Sequence, residues 1–207
     1  MFTLHHHFFP YFYRNMEITV FTNGDSAAIS TWSNVPYFFT ETLMTKGVKV
    51  NRVNIRTSKF LKTLYRVSIW QILKRTKNHD AYEYYRTKLH DWHINFKIKN
   101  AVQQYPNSDA FLFLSFSFSA KKYSAKPTIL FGDWTFDHYF NYLKNRAAGP
   151  LEKEFIDREN QHIEQADLVF VLFPKVAEYM KGTYKNPNIF YIGNVINSKI
   201  NSQENEI

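Results

Sequence analysis

Two carboxylates and an imidazole follow an apolar run in the second half of the chain, and these are residue types that transfer protons in enzymes. The run is PTILF at residues 127–131, and Asp133, Asp137 and His138 follow it closely. The same residue types ligate metals, but their spacing matches no established ligand motif, so we expect no metal here. The structural alternative is that Asp133 caps a following helix.

A polar loop with a single glycine follows the first predicted strand, at residues 17–22. The loop contains Gly24, Asp25 and Ser26. Glycine allows close approach of a ligand to the backbone, and exposed backbone N–H groups bind anions. Because no second glycine stands at G-x-G-x-x-G spacing, the loop is poor evidence for a nicotinamide or flavin site. The alternative is a polar turn that caps the next helix.

Alternating strand and helix patterns predict where these residues lie in the fold. A helix is predicted at residues 35–44 and a second strand from residue 48. Apolar runs at residues 109–115, 127–131, 167–172 and 188–192 are typical of strands covered on both faces, and helices are predicted at 152–165 and 174–181. This order predicts an α/β fold with a Rossmann-like, mostly parallel sheet flanked by helices. Ligands of such sheets bind beyond the carboxyl ends of the strands, where Ser115 and Trp134 also stand as expected substrate-binding residues.

The segment from Arg56 to Lys99 carries a net charge equal to that of the whole chain. It holds eleven Lys or Arg residues against three Asp or Glu, and the formal charge of the chain is +8. Apolar residues at helical spacing predict two amphipathic helices in an inserted basic hairpin. We favour the hypothesis that an aromatic stripe of this hairpin packs on the sheet while its lysines face solvent. The stripe consists of Tyr82, Tyr85, Leu89, Trp92 and Phe96.

Length and composition indicate one globular domain. The chain has 207 residues, of which 44% are hydrophobic and 21% charged. It has no cysteine, which excludes a disulfide framework, a thiolate metal site and a cysteine nucleophile. No stretch approaches the roughly 18 to 20 apolar residues of a membrane-spanning helix. We expect the domain at residues 16–193, with an unstructured tail or over-long start at 1–15 and a polar tail or linker at 194–207.

Several sequence blocks resemble the amino-terminal domain of GT-B glycosyltransferases, in particular the retaining class that includes sucrose and lipopolysaccharide sugar transferases. LMTKGVKV at residues 43–50 is similar to the L-x-x-x-G-h-x-V junction of that family, and Gly132-Asp133 follows a strand that begins with proline. ENQHIEQADLVFVLFP at residues 159–174 resembles the E-x-x-x-x-x-x-A-D-x-V-x-x-x-S block, and YIGNVI at 191–196 resembles V-I-P-N-G-V-D. The order and spacing of the blocks carry the resemblance.

The resemblance implies a sugar acceptor as the ligand and sugar transfer from a nucleotide-sugar donor as the reaction. It places the Gly24 loop near the donor phosphates and the acceptor. It places Asp133 where a carboxylate orients the acceptor hydroxyl or accepts its proton. His138 lies close enough to Asp133 in sequence to act with it, and we expect it to be a second catalytic residue. Glu159 and His162 are expected on the solvated face of their helix.

The family also has a second, donor-binding domain, and this chain contains no E-x-x-x-x-x-x-x-E donor motif. We therefore expect the amino-terminal half of a transferase for cell-surface polysaccharide or glycolipid, without a cofactor of its own and inactive without its carboxy-terminal donor domain. We expect it in the cytoplasm, peripheral at the inner face of the membrane.

Two other functions remain open. The first is a non-catalytic module whose basic hairpin binds an anionic membrane or a polyanion, with nucleic acid the less expected partner. The second is a complete nucleotide-binding or hydrolytic enzyme. It is disfavoured because the sequence lacks a Walker lysine loop, a G-x-S-x-G motif and a paired-glycine loop.

Overall fold

A six-stranded parallel sheet forms the centre of the molecule, with strand order β2-β1-β3-β4-β5-β6. The computed structural model describes residues 16–68, 71, 84–144 and 146–193, without the side chains of Ser33 and Leu151. The expected tails at 1–15 and 194–207 lie outside these residues. The strands are β1 (Glu17–Thr22), β2 (Lys49–Asn54), β3 (Ala110–Phe113), β4 (Thr128–Gly132), β5 (Leu168–Val171) and β6 (Ile189–Tyr191). The predicted α/β, Rossmann-like fold is confirmed.

Helices flank the sheet, and their ends follow local sequence signals. Hydroxyl groups of Ser58, Thr87 and Thr135 each accept a hydrogen bond from a backbone N–H in the first turn of the helix that follows. Proline begins two further helices. The helices are α1 (Val35–Thr45), α2 (Lys59–Val67), α3 (Lys88–Gln104), α4 (Phe136–Tyr139), α5 (Pro150–Gln165) and α6 (Pro174–Thr183). Short 3-10 turns occupy Trp32–Asn34 and Tyr84–Arg86, and α4 continues as a π-helical turn, Phe140–Lys144.

Both faces of the sheet are buried, which explains the apolar runs in the sequence. Alternate residues of a strand point to opposite faces. Phe111 and Phe113 accordingly belong to one apolar cluster, and Leu112 and Leu114 belong to the other. Helix α1 packs on the second cluster through residues that include Phe39.

The face that α3 turns toward the sheet differs from the one we favoured. Leu89, Trp92 and Phe96 are exposed, so the expectation that the stripe packs on the sheet is wrong for these three residues, whereas Tyr85 is half-buried. The buried residues of α3 are His90, Ile94, Ile98 and Ala101. The two isoleucines join the cluster that contains Phe21 and Phe113. Because compact aliphatic side chains at i, i+4 spacing fill this face, the larger aromatic residues are left outside.

The predicted basic hairpin is described only in part. Lys62 of α2 contacts Tyr85 in the 3-10 turn before α3, and Lys97 of α3 contacts Arg56 in the segment before α2. Most of the connection between them, including Tyr82, lies outside the described residues. The hairpin itself therefore stays a prediction.

The strand order places a crevice between β1 and β3. The chain passes from β1 to β2 on one side and then crosses to β3 on the other side of β1. At such a reversal the connections leave in opposite directions and open a space beyond the carboxyl ends of the strands. Among the residues described, no helix has both the length and the apolar character to cross a bilayer.

Candidate functional site

A pocket of about 310 Å³ occupies this crevice. Its wall comes from the residues that follow β1, β3 and β4, from the turn before α1, and from one residue of α5. The lining residues are Thr22, Asn23, Trp32, Pro36, Leu114, Ser115, Phe116, Ser117, Gly132, Asp133, Trp134, Phe136 and Glu159. Three of the seven predicted site residues, Ser115, Asp133 and Trp134, are therefore brought together here.

Asp133 lies at the end of β4, where its position is set by close packing. Preceding it, Gly132 has no room for a side chain, because a Cβ atom would lie 2.8 Å from the Phe116 ring. One carboxylate oxygen of Asp133 accepts a hydrogen bond from the backbone N–H of Trp134 at 2.9 Å. The residue that caps α4 is Thr135. The capping alternative for Asp133 is therefore not realised, and Asp133 is one of the residues that line the pocket.

Glu159 is a second carboxyl group in the pocket, and the prediction that it lies on a solvated face is wrong. Glu159 is only 2% exposed. One oxygen accepts the backbone N–H of Phe136 at 2.6 Å, and the other accepts the hydroxyl of Ser117 at 2.8 Å. Burial raises the pKa of this carboxyl to about 7, against the lowering effect of the two hydrogen bonds. The sequence does contain a signal for this burial, because Glu159 is spaced three residues after Ile156 and four before Ile163 on the apolar stripe of α5.

His162, one turn further along α5, also departs from the expected solvated position. It is half-buried, and burial lowers the pKa of its imidazole. It lines a separate polar pocket of about 370 Å³ together with Asp91 of α3, Arg158 and Lys121. Lys121 forms an ion pair with Asp167 in the same region.

Trp32 also lines the pocket, and it comes from the 3-10 turn before α1 rather than from a strand end. Its backbone φ is +39° and that of Asn34 is +68°, a region that residues other than glycine seldom adopt. The indole packs edge-on against Phe131 of β4, with 6.4 Å between ring centroids. Strained backbone of this kind concentrates at functional sites.

The loop after β1 forms a compact turn next to the pocket. The N–H of Gly24 donates to the side-chain oxygen of Asn54 at 3.1 Å, and the carboxylate of Asp25 accepts the N–H of Ala27 at 2.9 Å. Ser26 is buried. These contacts form the polar turn of the alternative, but the turn does not cap the next helix, because the residue before α1 is Asn34 and makes no side-chain cap hydrogen bond. Among the described residues of this loop it is Asn23 that lines the pocket. A ligand-binding role for the other three stays a prediction.

His138 and Asp137 are turned toward α6 and not toward Asp133. The His138 ring stacks on Trp134 at 4.9 Å and contacts Tyr179 at 4.4 Å between centroids. The carboxylate of Asp137 accepts the hydroxyl of Tyr179. Burial lowers the pKa of His138, while the charge of Asp137 acts in the opposite direction. His138 thus supports the indole that lines the pocket, and a catalytic role for it stays a prediction.

The chemistry of the pocket follows from this set of groups. The lining residues include two acidic residues, two serines and two tryptophans, and among the described ones there is no Lys, Arg or His. Cations and free N–H groups are the usual ligands of phosphate. The guanidinium of Arg86 lies 4.2 Å from the Phe136 ring and its charge acts on Glu159, but Arg86 lines the adjoining side pocket and not this one. The lining residues themselves favour a hydroxyl-bearing ligand over a nucleotide. Within the described part of the chain, no group of three or more His, Cys, Asp or Glu residues is arranged to hold a metal ion.

Comparison of the sequence with models of known protein families and with curated proteins finds no match. The functional argument therefore depends on the geometry of the site and on the motif order described above.

Proposed function

We propose that this domain binds a sugar acceptor in the pocket beyond β1, β3 and β4, as the amino-terminal half of a GT-B-type glycosyltransferase. The observation that carries the proposal is the composition of the pocket wall, which combines Asp133 and Glu159 with the indoles of Trp32 and Trp134 and lacks cationic groups among the described residues. A pyranose offers hydroxyl groups to carboxylates and an apolar C–H face to aromatic rings.

Asp133 is the residue best placed to act on the acceptor hydroxyl. In sugar transfer, the acceptor oxygen forms a bond to the anomeric carbon, the bond from that carbon to the nucleotide diphosphate breaks, and the hydroxyl proton leaves. A carboxylate that accepts a hydrogen bond from the hydroxyl orients the oxygen and lowers the cost of losing the proton. Asp133 would supply this carboxylate, while Glu159 would hold Ser117 in position as a second hydroxyl contact.

The donor would be held elsewhere. A nucleotide-sugar carries a diphosphate, which the carboxylate of Asp133 repels, as does Glu159 at a pH above its pKa of about 7. By resemblance to GT-B enzymes, a second Rossmann-like domain would bind the diphosphate and place the anomeric carbon against the acceptor. This division of roles accounts for an acceptor pocket whose described lining residues include no Lys, Arg or His.

A glycan microarray of bacterial and eukaryotic cell-surface oligosaccharides tests the proposal. We expect the labelled wild-type protein to bind a subset of glycans, and Asp133→Asn and Trp134→Ala to weaken that binding at least tenfold. Asp157→Asn is the matched control, because Asp157 is exposed on α5. UDP-glucose and GDP-mannose should not compete.

Two results would contradict the proposal. In the first, the wild-type protein binds no glycan more strongly than an Asp133→Asn, Trp134→Ala double variant does, although circular dichroism shows that the double variant is folded. In the second, UDP-glucose and GDP-mannose compete with the glycan for the wild-type protein but not for the Asp133→Asn and Trp134→Ala variants, which would indicate a nucleotide pocket instead.

A further inference from the structure

Helix α2 presents an apolar stripe to solvent. Phe60, Leu64 and Val67 are all exposed, and Phe60 is 74% exposed. Steps of four and three residues place these side chains on one side of the helix. The core side of the same helix is formed by Tyr65, which is buried, and Leu61, which is half-buried. The exposed apolar stripe is therefore additional to the one that holds α2 on the domain.

Helix α3 repeats the arrangement. Leu89, Trp92 and Phe96 are exposed at steps of three and four, and Trp92 is 67% exposed. These are the residues that sequence patterning assigned to the core. Soluble proteins seldom leave grouped large apolar side chains in water without a partner to cover them.

Both helices carry positive charge, and on α2 the basic side chains lie between the exposed apolar stripe and the core side of the helix. Helix α2 contains Lys59, Lys62 and Arg66 and has no Asp or Glu. On α3, Lys88 and Lys99 are exposed, and a helical turn of about 100° per residue places them at one edge of the apolar stripe. Lysine stems of this length carry the ammonium group several ångströms beyond an apolar surface.

Each helix contacts the segment that precedes the other, since α2 contacts the 3-10 turn Tyr84–Arg86 and α3 contacts Arg56. The ammonium group of Lys62 donates to the hydroxyl of Tyr85 at 2.9 Å, and that of Lys97 donates to the backbone carbonyl of Arg56 at 2.6 Å. Tyr65 and Tyr84 also contact, with 5.2 Å between ring centroids.

We propose that the exposed faces of α2 and α3 form a docking surface for an anionic phospholipid bilayer. Aromatic and aliphatic side chains would enter the head-group region while the lysines and the arginine contact lipid phosphates. A second copy of this chain fits less well, because a two-fold interface would set Lys59, Lys62 and Arg66 against their own copies. Nucleic acid also fits less well, because Leu64 and Val67 would gain little from a phosphate backbone.

The docking surface adjoins the candidate site. Tyr85, which accepts the Lys62 hydrogen bond, lines an apolar side pocket of about 130 Å³ beneath α3. This side pocket shares Asn23, Leu114, Ser115, Ser117 and Phe136 with the main pocket. Docking would therefore bring the α3 side of the pocket close to the bilayer, whether or not the pocket takes a sugar.

Vesicle co-sedimentation tests the proposal. The probes are vesicles of phosphatidylcholine alone and of phosphatidylcholine with phosphatidylglycerol at 7:3, each at 50 and 500 mM NaCl. We expect the wild-type protein to bind the anionic vesicles at low salt, to bind neutral vesicles weakly, and to lose binding at high salt. Neutralising two charges with Lys59→Gln and Arg66→Gln should weaken binding roughly 30-fold, at about 1 kcal/mol per charge. Phe60→Ser with Trp92→Ser should weaken it at least tenfold.

Matched controls come from the opposite end of the sheet. Lys175→Gln with Lys181→Gln removes two exposed charges from α6, and Phe190→Ser with Ile192→Ser removes two exposed apolar side chains near β6. Both control variants should bind as the wild type does.

Three outcomes would overturn the proposal. The first is no binding to anionic vesicles at 50 mM NaCl. The second is binding that depends on the charges but not on Phe60 and Trp92, which would indicate a polyanion instead. The third is a concentration-dependent dimer in sedimentation velocity that the Phe60→Ser, Trp92→Ser variant abolishes, which would assign the surface to a second copy of the chain.

Discussion

The carboxyl group of Glu159 should make the protein less stable as the pH rises toward neutrality. Its pKa is raised from 4.5 to about 7 in the folded state, mainly because burial removes water from the charged form. Between these values the folded protein binds the proton more tightly than the unfolded chain does. Stability therefore falls as the pH increases through this window and is highest below it.

The size of the effect follows from the pKa change. One unit of pKa corresponds to about 1.4 kcal/mol, so a rise from 4.5 to about 7 corresponds to about 3 kcal/mol once the group is fully ionised. Glu159→Gln removes the charge at nearly constant volume. The amide oxygen can still accept the N–H of Phe136, and the Ser117 hydroxyl can accept from the amide nitrogen. The variant should therefore gain about 2 to 3 kcal/mol relative to wild type between pH 5 and pH 8.

Urea denaturation followed by circular dichroism at pH 5, 6, 7 and 8 measures this difference directly. Glu164→Gln is the control, because Glu164 is exposed on the same helix and its substitution should leave the pH dependence of wild type unchanged. A Glu159→Gln advantage that stays constant within about 0.5 kcal/mol from pH 5 to pH 8 would refute the reasoning.

Two further predictions concern stability. Gly24→Ala should destabilise the protein by about 2 kcal/mol or more, because φ at Gly24 is +133° and a Cβ atom would lie 2.7 Å from Thr31. Gly182→Ala should instead stabilise the protein by about 0.5 to 1 kcal/mol, because Gly182 lies within α6 and a Cβ atom there would meet no neighbour within 4 Å. Thermal melts of both variants check this, and equal shifts would contradict it. Arg146→Ala should cost about 3 kcal/mol at pH 7, because Arg146 donates two hydrogen bonds at 2.8 Å to the buried carboxylate of Glu152. Because Arg146 lowers the pKa of Glu152, the cost of Arg146→Ala should shrink as the pH falls and the carboxyl becomes protonated. Urea denaturation at pH 7 and pH 4 measures this cost, and equal values at the two pH values would contradict the prediction.

The strands and most helices could be predicted from sequence because their signals are local. The run at residues 127–131 becomes β4 at Thr128–Gly132, and the pattern at 35–44 becomes α1 at Val35–Thr45. Parallel strands end at one edge of a sheet, so locating β3 and β4 was enough to bring Ser115, Asp133 and Trp134 to one pocket. The grouping of Asp133 with His138 was not confirmed, because the short helix between them turns the imidazole toward α6.

The amino-acid sequence by itself determined which segments form strands and helices, since periodicity and capping residues act within a few residues. Only the tertiary structure decided which face of each helix meets the sheet. Helix α3 carries two apolar stripes, and packing density selects the one with Ile94 and Ile98 and leaves Trp92 in solvent. On α5 the same choice buries Glu159 in the pocket wall, because the stripe that contains it also contains Ile163. Hydrophobic periodicity reports that a helix has an apolar face, but the partner surface determines which face is used.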